Sequence, residues 1–159
     1  MFPKSINQQQ APAVAGDFCS ANMRNTVNAG ESAFVAGTGG LSIGVFAWID
    51  FSTGYATNAG SGAPNGFVHR DNQALITAYL GASGLTIPAG YPVTIMRGGD
   101  FWAKTTTTAT QGQKVFASNT TGAISTTAAG STVAGSTETV FFVDSAAAVG
   151  ELIKISKGG

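Results

Sequence analysis

Charge is what this sequence has least of. Only 10% of its 159 residues are Asp, Glu, Lys or Arg, against roughly 25% in an ordinary soluble protein. Eight basic residues balance eight acidic ones. They are scattered, so no excess or stripe of positive charge exists to neutralise phosphates, and direct binding to nucleic acid is not expected. Apolar runs are short as well. None approaches the roughly 20 consecutive residues that a bilayer-spanning helix needs, so no membrane partner is expected. Ser5 to Gln10 is polar where a secretion signal would carry its apolar stretch. The expectation is synthesis in the cytoplasm.

Reactive groups are nearly as scarce. Cys19 is the only cysteine and His69 the only histidine. No internal disulfide can form, and a Cys/His zinc site lacks its ligands. Cys19 reads as a small apolar filler beside Phe18. Nucleophilic catalysis needs a nucleophile, a base and an orienting group. The sole imidazole lies beside Arg70 and Asp71, which reads better as a polar strand end than as a triad. No Gly-x-Ser-x-Gly elbow occurs, and Gly37-Thr38-Gly39-Gly40 lacks the Gly-Lys-Ser/Thr ending of a phosphate loop. Acidic residues are too isolated for a glycosidase pair or a calcium loop. Asp17 and Asp100 share a Gly-Asp-Phe context, where a carboxylate can accept from nearby turn amides. No enzyme, metal or cofactor is expected.

What the chain does have is small residues and short apolar runs. Glycine occurs 22 times and hydrophobic residues make up 43%. At this length one domain with a core is expected. Leu41 to Asp50 alternates with period two and is apolar on both faces: Leu41, Ile43, Val45, Ala47 and Ile49 on one, Phe46 and Trp48 on the other. The Phe46 and Trp48 face is expected to meet either a second layer or another subunit. Other extended runs are Glu31 to Gly37, Phe67 to Arg70, Gln73 to Leu80 and Val93 to Met96. Asp100 to Ala103 runs on into the four threonines at 105–108, which read as strand or as exposed loop. Lys114 to Ala117, Ala123 to Ser125, Thr139 to Asp144 and Gly150 to Ser156 follow. Phe51 to Gly66 reads as a loop. The sum is an all-β sandwich or barrel of about eight to ten short strands, spanning residues 16–159. Residues 1–15 are different. Prolines 3 and 12 and the run Gln8, Gln9, Gln10 resist helix and sheet, and Phe2 and Ile6 are the only large apolar anchors before Val14. Such a segment is either a frayed terminus or an extended arm that orders on a neighbour.

Several short motifs, read in order, resemble one known family. They are Gln10-Ala11-Pro12-Ala13-Val14-Ala15-Gly16-Asp17-Phe18, Thr26-Val27-Asn28-Ala29-Gly30, Pro64-Asn65-Gly66-Phe67-Val68-His69-Arg70, Ile87-Pro88-Ala89-Gly90-Tyr91-Pro92-Val93, Gly99-Asp100-Phe101-Trp102 and Gly150-Glu151-Leu152-Ile153-Lys154-Ile155-Ser156. Together they are similar to the structural cement, or decoration, proteins of tailed bacteriophages. Met23, Cys19, Val45-Phe46, the Phe141-Phe142 strand and the Lys157-Gly158-Gly159 tail depart locally from that pattern. The resemblance implies a jelly-roll-like body on the outside of an icosahedral head, made in the host bacterial cytoplasm. It implies contact with the major capsid protein across subunit seams. A homodimer at two-fold or quasi-two-fold positions is favoured, with a trimer as the alternative. Phe2, Ile6, Gln8, Gln9, Gln10, Phe46 and Trp48 are the candidate interface residues. The competing readings are a tail-tube or fibre component and a cell-wall hydrolase.

Overall fold

The computed structural model describes residues 13–71, 75–76 and 85–157. Frequent glycine turns cut the apolar runs into short pieces, so the strands are short. The first half of the chain gives β1 (Asn25–Thr26), β2 (Val35–Ala36), β3 (Leu41–Ser42), β4 (Phe46–Asp50), β5 (Tyr55–Thr57), β6 (Gly66–Val68), β7 (Leu75–Ile76) and β8 (Leu85–Ile87). The second half gives β9 (Ile95–Gly98), β10 (Asp100–Lys104), β11 (Lys114–Ser118), β12 (Ile124–Thr127), β13 (Ser136–Val143) and β14 (Leu152–Lys157). No helix occurs among the described residues, in accord with the expected all-β class. The strands number fourteen, more than the eight to ten expected, because loop-like stretches contribute pieces of two or three residues. Leu75–Ile76 is the described part of the Gln73 to Leu80 run; the rest of that run lies outside the described residues.

Three sheets result. One has six strands in the order β1-β9-β6-β4-β5-β2, one has five in the order β10-β14-β13-β11-β12, and a small one has the order β3-β8-β7. All pairings are antiparallel except β2 with β5. The six- and five-stranded sheets pack face to face around four phenylalanines. Phe46 lies 5.6 Å from Phe67, Phe67 4.7 Å from Phe101, Phe101 6.1 Å from Phe141, and Phe141 5.5 Å from Phe46, centroid to centroid. Tilted and edge-to-face pairs at these distances add to what area burial alone contributes.

The central strands of the six-stranded sheet, β4, β6 and β9, are buried on both faces. Along β4, Phe46 and Trp48 enter the core shared with the five-stranded sheet, while Ala47 and Ile49 enter a second core with Leu41, Phe34 and Ile87. Phe67 and Met96 take the first core and Val68 and Ile95 the second. This is the two-residue period of extended chain spent on two layers at once.

Two glycines shape this arrangement. The expected single strand from Leu41 to Asp50 is broken at Gly44, whose φ of +73° turns the chain. Leu41 and Ser42 therefore pair with β8, while Phe46 onward pairs with β5 and β6. Gly122, at φ +68°, accepts a 3.0 Å hydrogen bond from the Phe46 amide through its carbonyl. A Cβ at Gly122 would overlap the Phe46 carbonyl oxygen.

Among the threonines at 105–108, only Thr105 joins a neighbour as an isolated bridge. Thr106 Oγ1 donates to the Ile124 carbonyl at 2.8 Å, and the Thr126 amide donates to Thr107 Oγ1 at 2.9 Å. The loop thus bonds along β12, the last strand of its sheet, and covers an edge otherwise open to strand addition.

Candidate interaction surfaces

The chain is bonded into the body from Val14 onward. Asp17 accepts from the Val14 amide at 3.2 Å, which is the turn role expected of it, and forms a 3.4 Å ion pair with Arg70. Gly16 donates to the Trp102 carbonyl, Trp102 donates to the Asp17 carbonyl, both at 2.8 Å, and Cys19 donates to the Asp100 carbonyl at 3.1 Å. Phe18 packs 5.3 Å from Phe101 and 5.2 Å from His69, with the Arg24 guanidinium 3.7 Å above its ring. Asp100 departs from the expected turn role. Its carboxylate accepts from the Ser20 hydroxyl and the Asn22 side-chain amide, both at 2.6 Å. The two Gly-Asp-Phe motifs are thus one structural joint, which fastens the segment after residue 13 along β10.

This joint also accounts for the two residues that might carry chemistry. Burial holds the His69 imidazole below its ordinary value, with Arg24 acting the same way and Asp71 opposing it. Its Nδ1 is buried with no hydrogen-bond partner. Burial, and secondarily the Asp100 carboxylate, pushes the Cys19 thiol up, away from a reactive thiolate. Among the described residues, no three His, Cys, Asp or Glu side chains gather where they could hold a metal ion.

The predicted interface residues fall in two places. Phe2, Ile6, Gln8, Gln9 and Gln10 lie outside the described residues. Phe46 and Trp48 lie in the core at 1% and 8% exposure, so the second apolar face of β4 meets a second layer of the same chain. Trp48 also satisfies its indole N–H within the chain, donating to the Gly62 carbonyl at 3.1 Å.

Sequence reasoning missed a different set. Phe51, Tyr55 and Tyr91 are exposed by 62%, 47% and 48%, and all three gather around β2. Tyr55 stands opposite Val35, and Pro92 stands opposite Val35 on the other side. Tyr91 accepts from the Ala36 amide at 2.9 Å, and the Phe51 ring meets the buried Phe34 ring edge-on at 5.8 Å. Asp50, opposite Tyr55 in the β4–β5 register, turns its charge inward on its own loop. It accepts from the Ser52 amide and hydroxyl at 2.9 and 2.6 Å and from the Thr53 hydroxyl at 2.9 Å. These bonds, those from Ser52 foremost, hold its carboxyl below the usual range. The only signal in the sequence was large aromatics inside Gly/Ser/Thr/Asn-rich and proline-flanked turns.

The outer face of the five-stranded sheet also shows aromatics, but clothed. Lys114 Nζ sits 3.7 Å over the Phe142 ring and Lys154 Nζ 5.1 Å from the Trp102 ring. Lys104, Lys114, Lys154 and Lys157 all belong to strands of this sheet, leaving only Lys4 elsewhere.

Fold and surface together define an all-β sandwich with one group of exposed aromatics and one lysine-covered face. The family model described as XM1 gp53 minor capsid protein matches residues 2–157. The chain belongs to that family of phage minor capsid proteins and is a component of the virion. Among solved structures, a chain of "The capsid of Myoviridae Phage XM1" superposes with a TM-score of 0.68 at 19% identity, over 99% of this chain and 97% of that one; the shared property is the fold. No curated protein matches the sequence.

Proposed function

We propose that the chain is a cement protein of the phage head. On this reading it sits on the capsid exterior, bridges neighbouring major capsid protein subunits and stabilises the expanded shell against the pressure of packed DNA. The observation that carries it is the group of exposed aromatics around β2, Phe51, Tyr55 and Tyr91, with no cation over any of their rings among the described residues. Aromatic residues in charge-poor patches are over-represented at protein interfaces and among the residues that dominate binding energy. Tyr55 is on a paired strand, and the turns that carry Phe51 and Tyr91 are tied to the β2 region through the Phe34 ring and the Ala36 amide, so little order has to be gained on docking. A protein that binds the assembled shell better than its parts stabilises it by mass action, and repetition over a lattice multiplies weak contacts. Residues 1–15, with Phe2, Ile6 and Gln8 to Gln10, supply a second reach toward a neighbour. Ordering such a segment costs about 1–2 kcal/mol per residue in backbone entropy, which ties it to a completed assembly. A homodimer remains the favoured state and a trimer the alternative.

The test is binding of the purified chain to expanded heads lacking it. The account expects saturable binding and a higher temperature of head disruption. Replacing Tyr55 and Tyr91 together by alanine should weaken binding at least tenfold, the equivalent of about 1.4 kcal/mol. Absence of binding to heads, or binding to tails alone, would overturn the reading.

A further inference from the structure

A cleft opens between the two large sheets. It has a volume of about 260 Å³ and lies where β4, β6 and β9 face β13 and β14. Phe46 and Phe141, both buried in the shared core, line it from the inside. Val140 stands on its wall and is 54% exposed. A bulge in β13 sets that wall. Lys114 pairs with Phe142 and Phe116 with Glu138, so Thr139, Val140 and Phe141 together face Val115. Thr139 Oγ1 fixes the bulge, donating to the Val115 carbonyl at 2.8 Å and accepting from the Phe141 amide at 3.1 Å. Bulges of this kind re-aim side chains beside functional sites.

The polar lining of the cleft is made mostly of donors. Arg97 and Lys157 both line it. Lys157 is held close to β9: its Cδ lies 3.4 Å from where a Cβ on Gly98 would be, and its amide donates to the Gly99 carbonyl at 3.4 Å. Other cations of the chain are engaged. Arg70 pairs with Asp17, Arg24 lies over Phe18, Lys114 over Phe142 and Lys154 near Trp102. The side chains of Arg97 and Lys157 have no hydrogen bond, ion pair or ring contact among the described residues. Asn65 adds a third donor: its Oδ1 accepts from the Ile49 amide at 2.7 Å, which leaves its Nδ2 for an outside acceptor. Glu138 is the one acid in the lining, and its Oε2 already accepts from the Gly130 amide at 2.8 Å. Two cations against one acid leave the cleft with one net positive charge.

These features select a ligand. Unpartnered cations beside a cleft favour a partner that brings the opposite charge. The apolar inner wall suits an anion carried on a methylene stem. Glu138 repels a dianion such as phosphate more strongly than a single carboxylate, so it discriminates between the two. We infer that the cleft receives an Asp or Glu side chain of the major capsid protein, with its carboxylate at Arg97 and Lys157 and its stem against Val140 and Phe141. The identity of the partner rests on the cement reading; the choice of a carboxylate rests on the cleft. In the six-stranded sheet β9 lies four strand spacings from β2, roughly 19 Å at about 4.8 Å per spacing. The cleft and the aromatic tip are therefore separate contacts, as a protein that bridges two subunits requires.

Two measurements on the full-length protein test it. In binding to expanded heads lacking this chain, Arg97→Gln combined with Lys157→Gln should weaken affinity about tenfold and flatten its dependence on salt. Lys104→Gln combined with Lys154→Gln removes the same charge away from the cleft and should leave affinity unchanged. All four side chains are exposed or half-exposed, so both variants keep the fold. Equal weakening by the two pairs, or weakening by neither, would overturn the inference. In amide NMR spectra of the purified chain, butyrate should shift Gly66, Val140 and Lys157 saturably, and butyramide should not. No response to butyrate, or an equal response to inorganic phosphate, would overturn the carboxylate assignment. Failure of the unaltered chain to bind heads would instead sink the cement reading and with it the partner, while the butyrate response would still decide the chemistry of the cleft.

Discussion

The aromatic tip and the outer face of the five-stranded sheet both expose large rings, yet they are dressed in opposite ways. On the sheet, lysines lie over Phe142 and Trp102, so an ammonium and its hydration cover each ring. At the tip, no cation-over-ring contact is found among the described residues, and the nearby Asp50 carboxylate is consumed by its own turn. The difference teaches where water is meant to stay. A cation over a ring is worth about 0.5–1 kcal/mol at an exposed site and keeps the ring solvated, whereas a bare aromatic ring gains most when a partner covers it. Exposed aromatics alone do not mark an interface; their lack of a polar cover does.

Four substitutions would break or sharpen this contrast. The largest effect is expected inside the sandwich, away from both surfaces. Phe46→Ala opens the four-ring core and should cost about 3–5 kcal/mol in denaturant unfolding, with head binding lost only through unfolding. Gly122→Ala, at a positive φ and against the Phe46 carbonyl, should lower the same midpoint. Next comes the tip. Tyr55→Ala is expected to leave the unfolding midpoint nearly unchanged while weakening head binding about tenfold. The smallest effect is on the clothed face, where Lys114→Ala should change stability by less than about 1 kcal/mol and leave binding as it was. If Lys114→Ala weakens binding as much as Tyr55→Ala, the contrast is false.

The joint behind β10 adds a dependence on pH. His69 is held below its ordinary value of 6.5 by burial, so the unfolded chain takes up its proton more readily than the folded one. Stability is then complete above about pH 6.5 and falls as the pH drops toward the depressed folded value. Thermal melts at about pH 7.5 and about pH 5 should show this decline. His69→Gln should flatten it, and an unchanged slope would count against the assignment.

Much of the fold was legible because alternation is a local signal. The two apolar faces of Leu41 to Asp50 announced a core strand whose second face would meet either a second layer or another subunit, and the cores on either side of β4 use both faces. The break at Gly44 was not legible, since periodicity runs through it and only the φ of +73° separates β3 from β4. The ordered motifs pointed to the family through residues that turn out to be structural: Asp17, Phe18, Asp100 and Phe101 fasten the start of the body to a sheet edge. The interaction surface was the least legible part. Phe46 and Trp48 are large and conspicuous, so they drew attention, but the cost of leaving such side chains in water puts them in the core. Phe51 and Tyr91 sit in turns and Tyr55 on a three-residue strand too short for periodicity, and only the pairing of β2 with its neighbours brings them together.

The central claim is tested most directly by a density map of intact phage heads at side-chain detail. The account predicts this chain on the outer surface, with Phe51, Tyr55 and Tyr91 buried against the major capsid protein and the Lys114 and Lys154 face open to solvent. A map with the aromatic tip in solvent and the lysine-covered sheet against the shell would contradict it.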